Sequence, residues 1–196
     1  MHQLATSFIL GYHGCDRRVG ERILKGELFK PSENEYDWLG PGIYFWEANP
    51  IRGLEFAREA ASRKSSHIRK PFVIGAVISL GLCLDLTTST GIAQVRSAHK
   101  SLVGVATAGN LELPRNATSG LLRQLDRVVI QLLHMIRKGR GEQAIDTVKG
   151  VFVEGDPVYE GSGFHEKTHI QIAVCNPDCI KGVFRVPDPQ LRALSM

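Results

Sequence analysis

The 196-residue chain is long enough to bury a hydrophobic core, and we expect residues 1–196 to form a single domain. Its 43% hydrophobic and 22% charged content is ordinary for a globular protein, and its net charge of +4 permits an acidic partner without requiring one. The four scattered cysteines do not suit a disulfide framework or a zinc site, and neither a secretory signal nor a membrane-spanning run is visible. We therefore expect a cytoplasmic protein that uses no metal and no membrane.

The predicted elements follow the order strand, helix, strand, helix, long strand, two helices and three closely spaced strands. Apolar runs predict the strands, over residues 7–13, 42–46, 71–87 (as one strand or two), 150–155, 168–174 and 182–186. Apolar stripes predict the helices, over residues 17–26, 50–63, 91–103 and 120–137. Asp16 and Asn49 are suited to cap the first two helices. This order predicts an α+β fold with loops over residues 29–42, 104–119 and 156–167.

The first strand ends in Tyr12-His13-Gly14, which puts an imidazole beside a residue that has no Cβ atom. A ligand can approach the backbone of such a residue closely. Taken alone, a solvent-facing histidine at the end of a strand is the simpler interpretation, because His-Gly pairs are common.

The second strand follows a Gly-Pro-Gly bend and is dense in aromatic residues. Strand alternation puts Tyr44 and Trp46 on one face and Ile43 and Phe45 on the other. If one face is core, the Tyr44 ring can stack on a planar heterocycle from the other face. The alternative is a Tyr44 that belongs to the core and has its hydroxyl hydrogen-bonded.

A polar pair interrupts the apolar strand over residues 168–174. Alternation puts His169 and Gln171 on the same face of that strand. Polar side chains within an apolar strand need hydrogen-bond partners or solvent, so a buried, hydrogen-bonded Gln171, a solvated face or a functional site accounts for the pair.

Together these stretches resemble the ADP-ribosyltransferase fold. YHG, ILKGELFKPS, WLGPGIYF and a helix that begins at ANP occur in the order of the diphtheria-toxin and poly(ADP-ribose) polymerase branch, which uses a His-Tyr-Glu triad. The resemblance is specific over residues 7–61, weaker over 168–186, and does not extend to 85–150. It implies split antiparallel sheets with flanking helices, and NAD as the substrate.

The resemblance also assigns roles to residues of this sequence. His13 would bind a ribose hydroxyl next to the nicotinamide, and Gly14 would hold the carboxamide through its backbone. Tyr44 would stack on the nicotinamide ring, and Ser32 would begin the loop over NAD.

Gln171 occupies the third triad position, where the family has its catalytic glutamate, unless a shift of register brings in Glu166. A glutamine can accept a hydrogen bond from ribose, but it carries no charge and cannot act as a base. We therefore expect transfer of a single ADP-ribose rather than polymer elongation.

The resemblance places the acceptor loop before the last strand pair, and its residues are Tyr159, Glu160, Phe164 and Glu166. The acceptor is a protein or a nucleic acid. Basic clusters at 63–70 and 137–141 can steer nucleic acid, or they are solvated helix ends. A single-domain transferase of this kind resembles a bacterial or phage-related toxin or effector with a neutralising antitoxin. The alternatives are an inactive module that binds NAD or ADP-ribose, and a basic nucleic-acid-binding protein.

Overall fold

The computed structural model describes residues 7–32, 34, 37–64, 66–117 and 122–192. The strands in this part of the chain are β1 (Ile9–Asp16), β2 (Ile43–Glu47), β3 (Pro71–Ile78), β4 (Cys83–Asp85), β5 (Thr147–Phe152), β6 (His169–Val174) and β7 (Ile180–Arg185). The helices are α1 (Arg17–Ile23), α2 (Pro50–Ala61), α3 (Ser89–Gly109), α4 (Gln124–Gly139) and α5 (Asp188–Leu191). A 3-10 turn over Pro177–Cys179 joins β6 to β7.

The strands form one seven-stranded sheet in the order β4-β5-β6-β2-β1-β3-β7. Neighbours are antiparallel except β4 and β5, which pair in parallel. The predicted mixture of helices with a largely antiparallel sheet is confirmed. Instead of the two separate sheets that we expected, there is one sheet with a narrow junction, because β1 and β2 pair through two residues each.

The first two helices begin where the sequence predicts. The Asp16 carboxylate accepts hydrogen bonds from the backbone N–H groups of Arg18, Arg69 and Lys70, so it caps α1 and fastens the chain before β3. Asn49 accepts a hydrogen bond from the Arg52 N–H at the start of α2. Both predicted caps are confirmed.

The sheet is covered by apolar side chains on both faces. One face packs against α4 through a buried cluster that includes Val129, Ile130, Val148 and Ala173. On the same face, α2 lies over β1 and β3, where Gly53 comes close to the side chains of Tyr12, Trp46 and Val73. The opposite face carries a second buried cluster, which includes Ile43, Phe45, Ala76 and Ile172. On this face, Arg52 and Phe56 of α2 and Arg123, which precedes α4, line one cavity.

Several predicted boundaries are wrong. α3 continues to Gly109, although small residues after position 103 gave no clear apolar stripe, and it ends at Asn110 in the left-handed conformation (φ 49°). The apolar segment over residues 71–87 is two strands, and β5 begins at Thr147, three residues before its prediction. α4 begins at Gln124 rather than residue 120, which lies outside the described residues. None of the described helices has the length and apolar character needed to cross a membrane.

Gly14 is required by helix packing. A Cβ atom at this position would overlap with the carbonyl oxygen of Gly53 in α2. We predict that Gly14→Ala lowers the free energy of unfolding by about 1–3 kcal/mol, because backbone atoms must move to accept the methyl group. Gly182→Ala in β7 is the matched control, because a Cβ atom there meets nothing within 4 Å. Urea unfolding of both variants checks the prediction, and equal stabilities would contradict it.

Candidate functional site

A cavity of about 1130 Å³ opens where the pairing between β1 and β2 ends. β1 pairs with β3 along its whole length but with β2 only through Gly11 and Tyr12. Beyond Tyr12 the two strands share no ladder, and the cavity lies on this side of the junction. Its wall includes all the residues that we predicted to bind NAD and the predicted third catalytic residue, namely His13, Gly14, Ser32, Tyr44 and Gln171.

The His13 side chain bridges the gap between the two strands. Its Nδ1 lies 2.8 Å from the backbone carbonyl oxygen of Tyr44. Since a carbonyl only accepts, Nδ1 carries the proton and donates, which leaves Nε2 of the neutral ring as an acceptor. The ring also contacts Phe29 and Phe45, with centroids 5.4 and 5.7 Å away. Burial lowers the pKa of His13, so the neutral form is favoured.

The backbone N–H and C=O groups of Gly14 point to the side of β1 where the ladder with β2 has ended. The Ala48 N–H donates to the Leu10 carbonyl at 2.9 Å, so the even-numbered residues of β1 face β2 with their N–H and C=O groups. At Gly14 the ladder with β2 has already ended. The sequence suggested that Gly14 lacks a side chain to admit a ligand. In the structure the missing side chain makes room for α2, and the backbone polar groups face the cavity side.

Tyr44 has its hydroxyl hydrogen-bonded, as the core alternative predicts, and its ring also lines the cavity. Its hydroxyl donates to the Gly40 carbonyl at 2.7 Å and accepts from the Leu39 N–H at 3.1 Å. Burial of the ring raises the pKa of the Tyr44 hydroxyl, so it stays protonated. The ring is half-buried and lines the cavity, whereas Trp46 is 2% exposed and packs on Phe56. The result is a flat aromatic wall that is fixed at its outer end.

Gln171 of β6 is the direct pairing partner of Trp46 in the neighbouring strand β2. The side chain of His169 holds the Gln171 amide. Nδ1 of His169 is 2.6 Å from the Lys167 carbonyl and therefore donates, so Nε2 is the acceptor. Gln171 Nε2 lies 3.0 Å from that nitrogen and donates to it. Oε1 of Gln171 is left as an acceptor beside the cavity. The predicted placement of this polar pair on one face is confirmed, and burial lowers the pKa of His169.

Ser32 lies beside an aspartate that the sequence did not single out. The Ser32 N–H donates to the Gly42 carbonyl at 2.8 Å, which ties the loop to the start of β2. Its hydroxyl donates to Asp37 Oδ1 at 3.1 Å and accepts from the Asn34 amide at 2.6 Å. Asp37 is 3% exposed and also lines the cavity. The sequence carries no signal for this burial, because a carboxylate in a polar loop is normally solvated.

Two ion-paired carboxylates lie on another part of the cavity wall. Arg52 is 6% exposed and donates to Glu154 at 3.0 Å and to Glu59 at 3.4 Å. Lys167 pairs with Glu59 at 2.9 Å. Glu154 and Glu59 are therefore neutralised by cations, and the network joins α2 to the segment that leaves β5.

The predicted acceptor loop forms a hairpin at the edge of the cavity. Hydrogen bonds cross it from the Lys167 N–H to the Glu154 carbonyl at 3.0 Å and from the Val158 N–H to the Phe164 carbonyl at 3.0 Å. The four predicted acceptor residues are exposed and lie outside the cavity wall, namely Tyr159, Glu160, Phe164 and Glu166. Glu166 therefore lies outside this wall, whereas Gln171 lies in it.

The two basic clusters differ in their surroundings. Arg63 and His67 of the 63–70 cluster line the cavity, and the Arg63 guanidinium brings positive charge to its wall. In the 137–141 cluster, Arg137 and Arg140 pair with Glu142 at 2.9 and 3.7 Å at the end of α4. This pairing supports the interpretation of the second cluster as a helix end rather than a nucleic-acid site.

No metal site is found among the residues that the structure describes, since no group of three or more His, Cys, Asp and Glu side chains could hold an ion. All four cysteines are free thiols.

Comparisons with known proteins do not assign a family. No family model and no solved structure matches the chain. A segment of 36 residues is 47% identical to the uncharacterized protein MJ0359 of Methanocaldococcus jannaschii, and it spans 18% of this chain and 17% of that protein. Because this segment is so short, the match assigns no function to the chain.

The Tyr44 hydroxyl has a structural role that can be separated from that of the ring. We predict that Tyr44→Phe lowers the free energy of unfolding by about 1–3 kcal/mol, because the buried groups of Leu39 and Gly40 lose their partner. Tyr159→Phe, at a residue 62% exposed, should change stability by less than about 0.5 kcal/mol. Urea unfolding measures both variants. A free energy of unfolding that Tyr44→Phe leaves unchanged would show that the hydroxyl is dispensable for stability.

The lowered pKa of His13 predicts how stability changes with pH. Unfolded chains protonate histidine near the ordinary value of 6.5, whereas burial keeps folded His13 neutral to lower pH. The contribution of His13 to stability is therefore present above pH 6.5 and is lost as pH falls below it. Urea unfolding between pH 7.5 and 5 should show that the difference in free energy of unfolding between wild type and His13→Asn shrinks as the pH falls. An advantage that grows toward low pH would contradict this.

Proposed function

We propose that the protein transfers a single ADP-ribose group from NAD to a macromolecular acceptor. The observation that carries this proposal is the convergence of His13, Gly14, Tyr44 and Gln171 on one cavity, at the place where the β1–β2 ladder ends. The cavity, at about 1130 Å³, is large enough for a ligand of dinucleotide size. A fold of the ADP-ribosyltransferase type is part of the same proposal.

These four residues offer the groups that are needed to bind NAD, the donor of ADP-ribose. The N–H and C=O of Gly14 match the acceptor and donor of the nicotinamide carboxamide. The fixed Tyr44 ring provides a face on which nicotinamide stacks. Nε2 of His13 and Oε1 of Gln171 accept hydrogen bonds from ribose hydroxyls.

The reaction breaks the bond between nicotinamide and the ribose carbon, and the bonding electrons leave with the nicotinamide. A lone pair of the acceptor forms the new bond to that carbon, and the proton of the acceptor passes to solvent. The Gln171 amide holds the ribose but supplies no charge and no base. This chemistry favours one transfer to a reactive acceptor over repeated elongation.

The acceptor is a protein or a nucleic acid that reaches the cavity past the hairpin of residues 154–167. Exposed Tyr159 and Phe164 on this hairpin offer apolar contact surface, at 62% and 72% exposure. An intracellular toxin or effector held in check by a neutralising partner is the role that we assign to such a transferase.

A second candidate function is binding of NAD or ADP-ribose without turnover. The observation that favours it is the neutral amide of Gln171, which is held by a histidine where the reaction calls for a carboxylate. The two functions share the same donor site and differ in whether nicotinamide is released.

Transfer from labelled NAD to fractions of a cell lysate tests the proposed function. We expect label on protein or nucleic acid and release of nicotinamide with wild type. His13→Ala should lower both by at least about tenfold, since it removes a ribose contact and the bridge to Tyr44. His99→Ala on α3, outside this cavity, is the matched control and should retain activity.

The outcome separates the two functions. If wild type binds NAD in calorimetry but releases no nicotinamide and labels no fraction, the binding module is supported. In that case Gln171→Glu is informative, because gained turnover would mean that the rest of the site is intact. If NAD is not bound at all, both functions are wrong.

A further inference from the structure

Asp37 differs from the other carboxylates in the described wall of the cavity. Those others, Glu59 and Glu154, form ion pairs with Arg52 and Lys167. Asp37 forms no ion pair with any residue that the structure describes. Among the described residues of this wall, Asp37 therefore carries the one negative charge that no cation neutralises by contact.

The Asp37 carboxylate is also incompletely hydrogen-bonded. Oδ1 accepts from the Ser32 hydroxyl, whereas Oδ2 is buried and has no hydrogen-bond partner. Burial raises the pKa of Asp37 to about 6, so the group is still mostly ionised at neutral pH. A buried carboxylate with an unpaired oxygen destabilises a fold, and the folded protein alone gives no reason to keep one.

Asp37 is tied directly to the proposed nicotinamide wall. Its carbonyl accepts from the Gly40 N–H at 2.9 Å, and this turn holds the Tyr44 hydroxyl. The charged and titratable side chains that act on Asp37 are Tyr44 of β2 and Arg127 of α4. Arg127 remains a distant influence, because it makes no ion pair with Asp37 and its buried Nε has no hydrogen-bond partner.

We propose that Asp37 supplies the negative charge that stabilises the cationic nicotinamide–ribosyl group of NAD during the reaction, in place of a carboxylate at position 171. The positive charge of NAD lies first on the nicotinamide ring and then on the ribosyl carbon, as the bond between them breaks and its electrons leave with neutral nicotinamide. In a buried wall a carboxylate acts on that charge through space more strongly than in water. This inference rests on the proposed function.

The test compares nicotinamide release from NAD by wild type and Asp37→Asn, with water as the acceptor. The substitution keeps the shape and an oxygen for the Ser32 hydroxyl but removes the charge. We expect kcat/KM to fall on the order of 10²-fold while Tm stays unchanged or rises. The double variant Asp37→Asn with Gln171→Glu should regain at least about tenfold in kcat/KM, because it returns a carboxylate to the cavity.

Asp16→Asn is the matched control. Asp16 is equally a buried aspartate, but three backbone N–H groups satisfy it and it lies outside the cavity wall. This variant should lower Tm and leave the kcat/KM of the folded protein unchanged, which is the opposite pattern.

Three results would overturn the role of Asp37. They are an Asp37→Asn kcat/KM within threefold of wild type, a loss of activity that parallels a loss of Tm, and a double variant without recovery. In each case an active wild type leaves the proposed function standing. A wild type that releases no nicotinamide, with or without lysate, overturns both.

Discussion

The short ladder between β1 and β2 is the constraint on which the site depends. Two residue pairs join these strands, and beyond them His13 Nδ1 of β1 donates a hydrogen bond to the Tyr44 carbonyl of β2. The His13 side chain thus donates to the Tyr44 carbonyl, which would otherwise accept a backbone hydrogen bond in the ladder. Because the ladder stops, the polar backbone groups of Gly14 face the cavity side, and the sheet remains continuous through its other pairings.

Packing on the two sides of the junction keeps this arrangement in place. Gly14 and Gly53 let α2 approach β1 closely, and the turn before β2 fixes the Tyr44 hydroxyl. A hydrogen bond to His169 orients the Gln171 amide. The polar groups of the site are thus positioned before any ligand binds, which is the condition for electrostatic stabilisation of a transition state.

Local patterns in the sequence predicted the elements and faces that local chemistry determines. Asp16 and Asn49 cap helices as expected, and alternation put His169 and Gln171 together. Features that depend on contacts between distant segments were not predictable. The parallel pairing of β4 with β5 and the single continuous sheet are of this kind. Asp37 belongs with them, because its burial results from packing of a loop and not from a pattern in the loop itself.

The proposed reaction requires that nicotinamide binds at the β1–β2 junction. A crystal structure with a carbocyclic NAD analogue, in which the bond to nicotinamide cannot break, tests this most directly. We predict the nicotinamide ring against Tyr44, the carboxamide on the backbone of Gly14 and a ribose hydroxyl within hydrogen-bond distance of His13. A nicotinamide bound elsewhere on the protein, or an empty junction at saturating analogue, would contradict it.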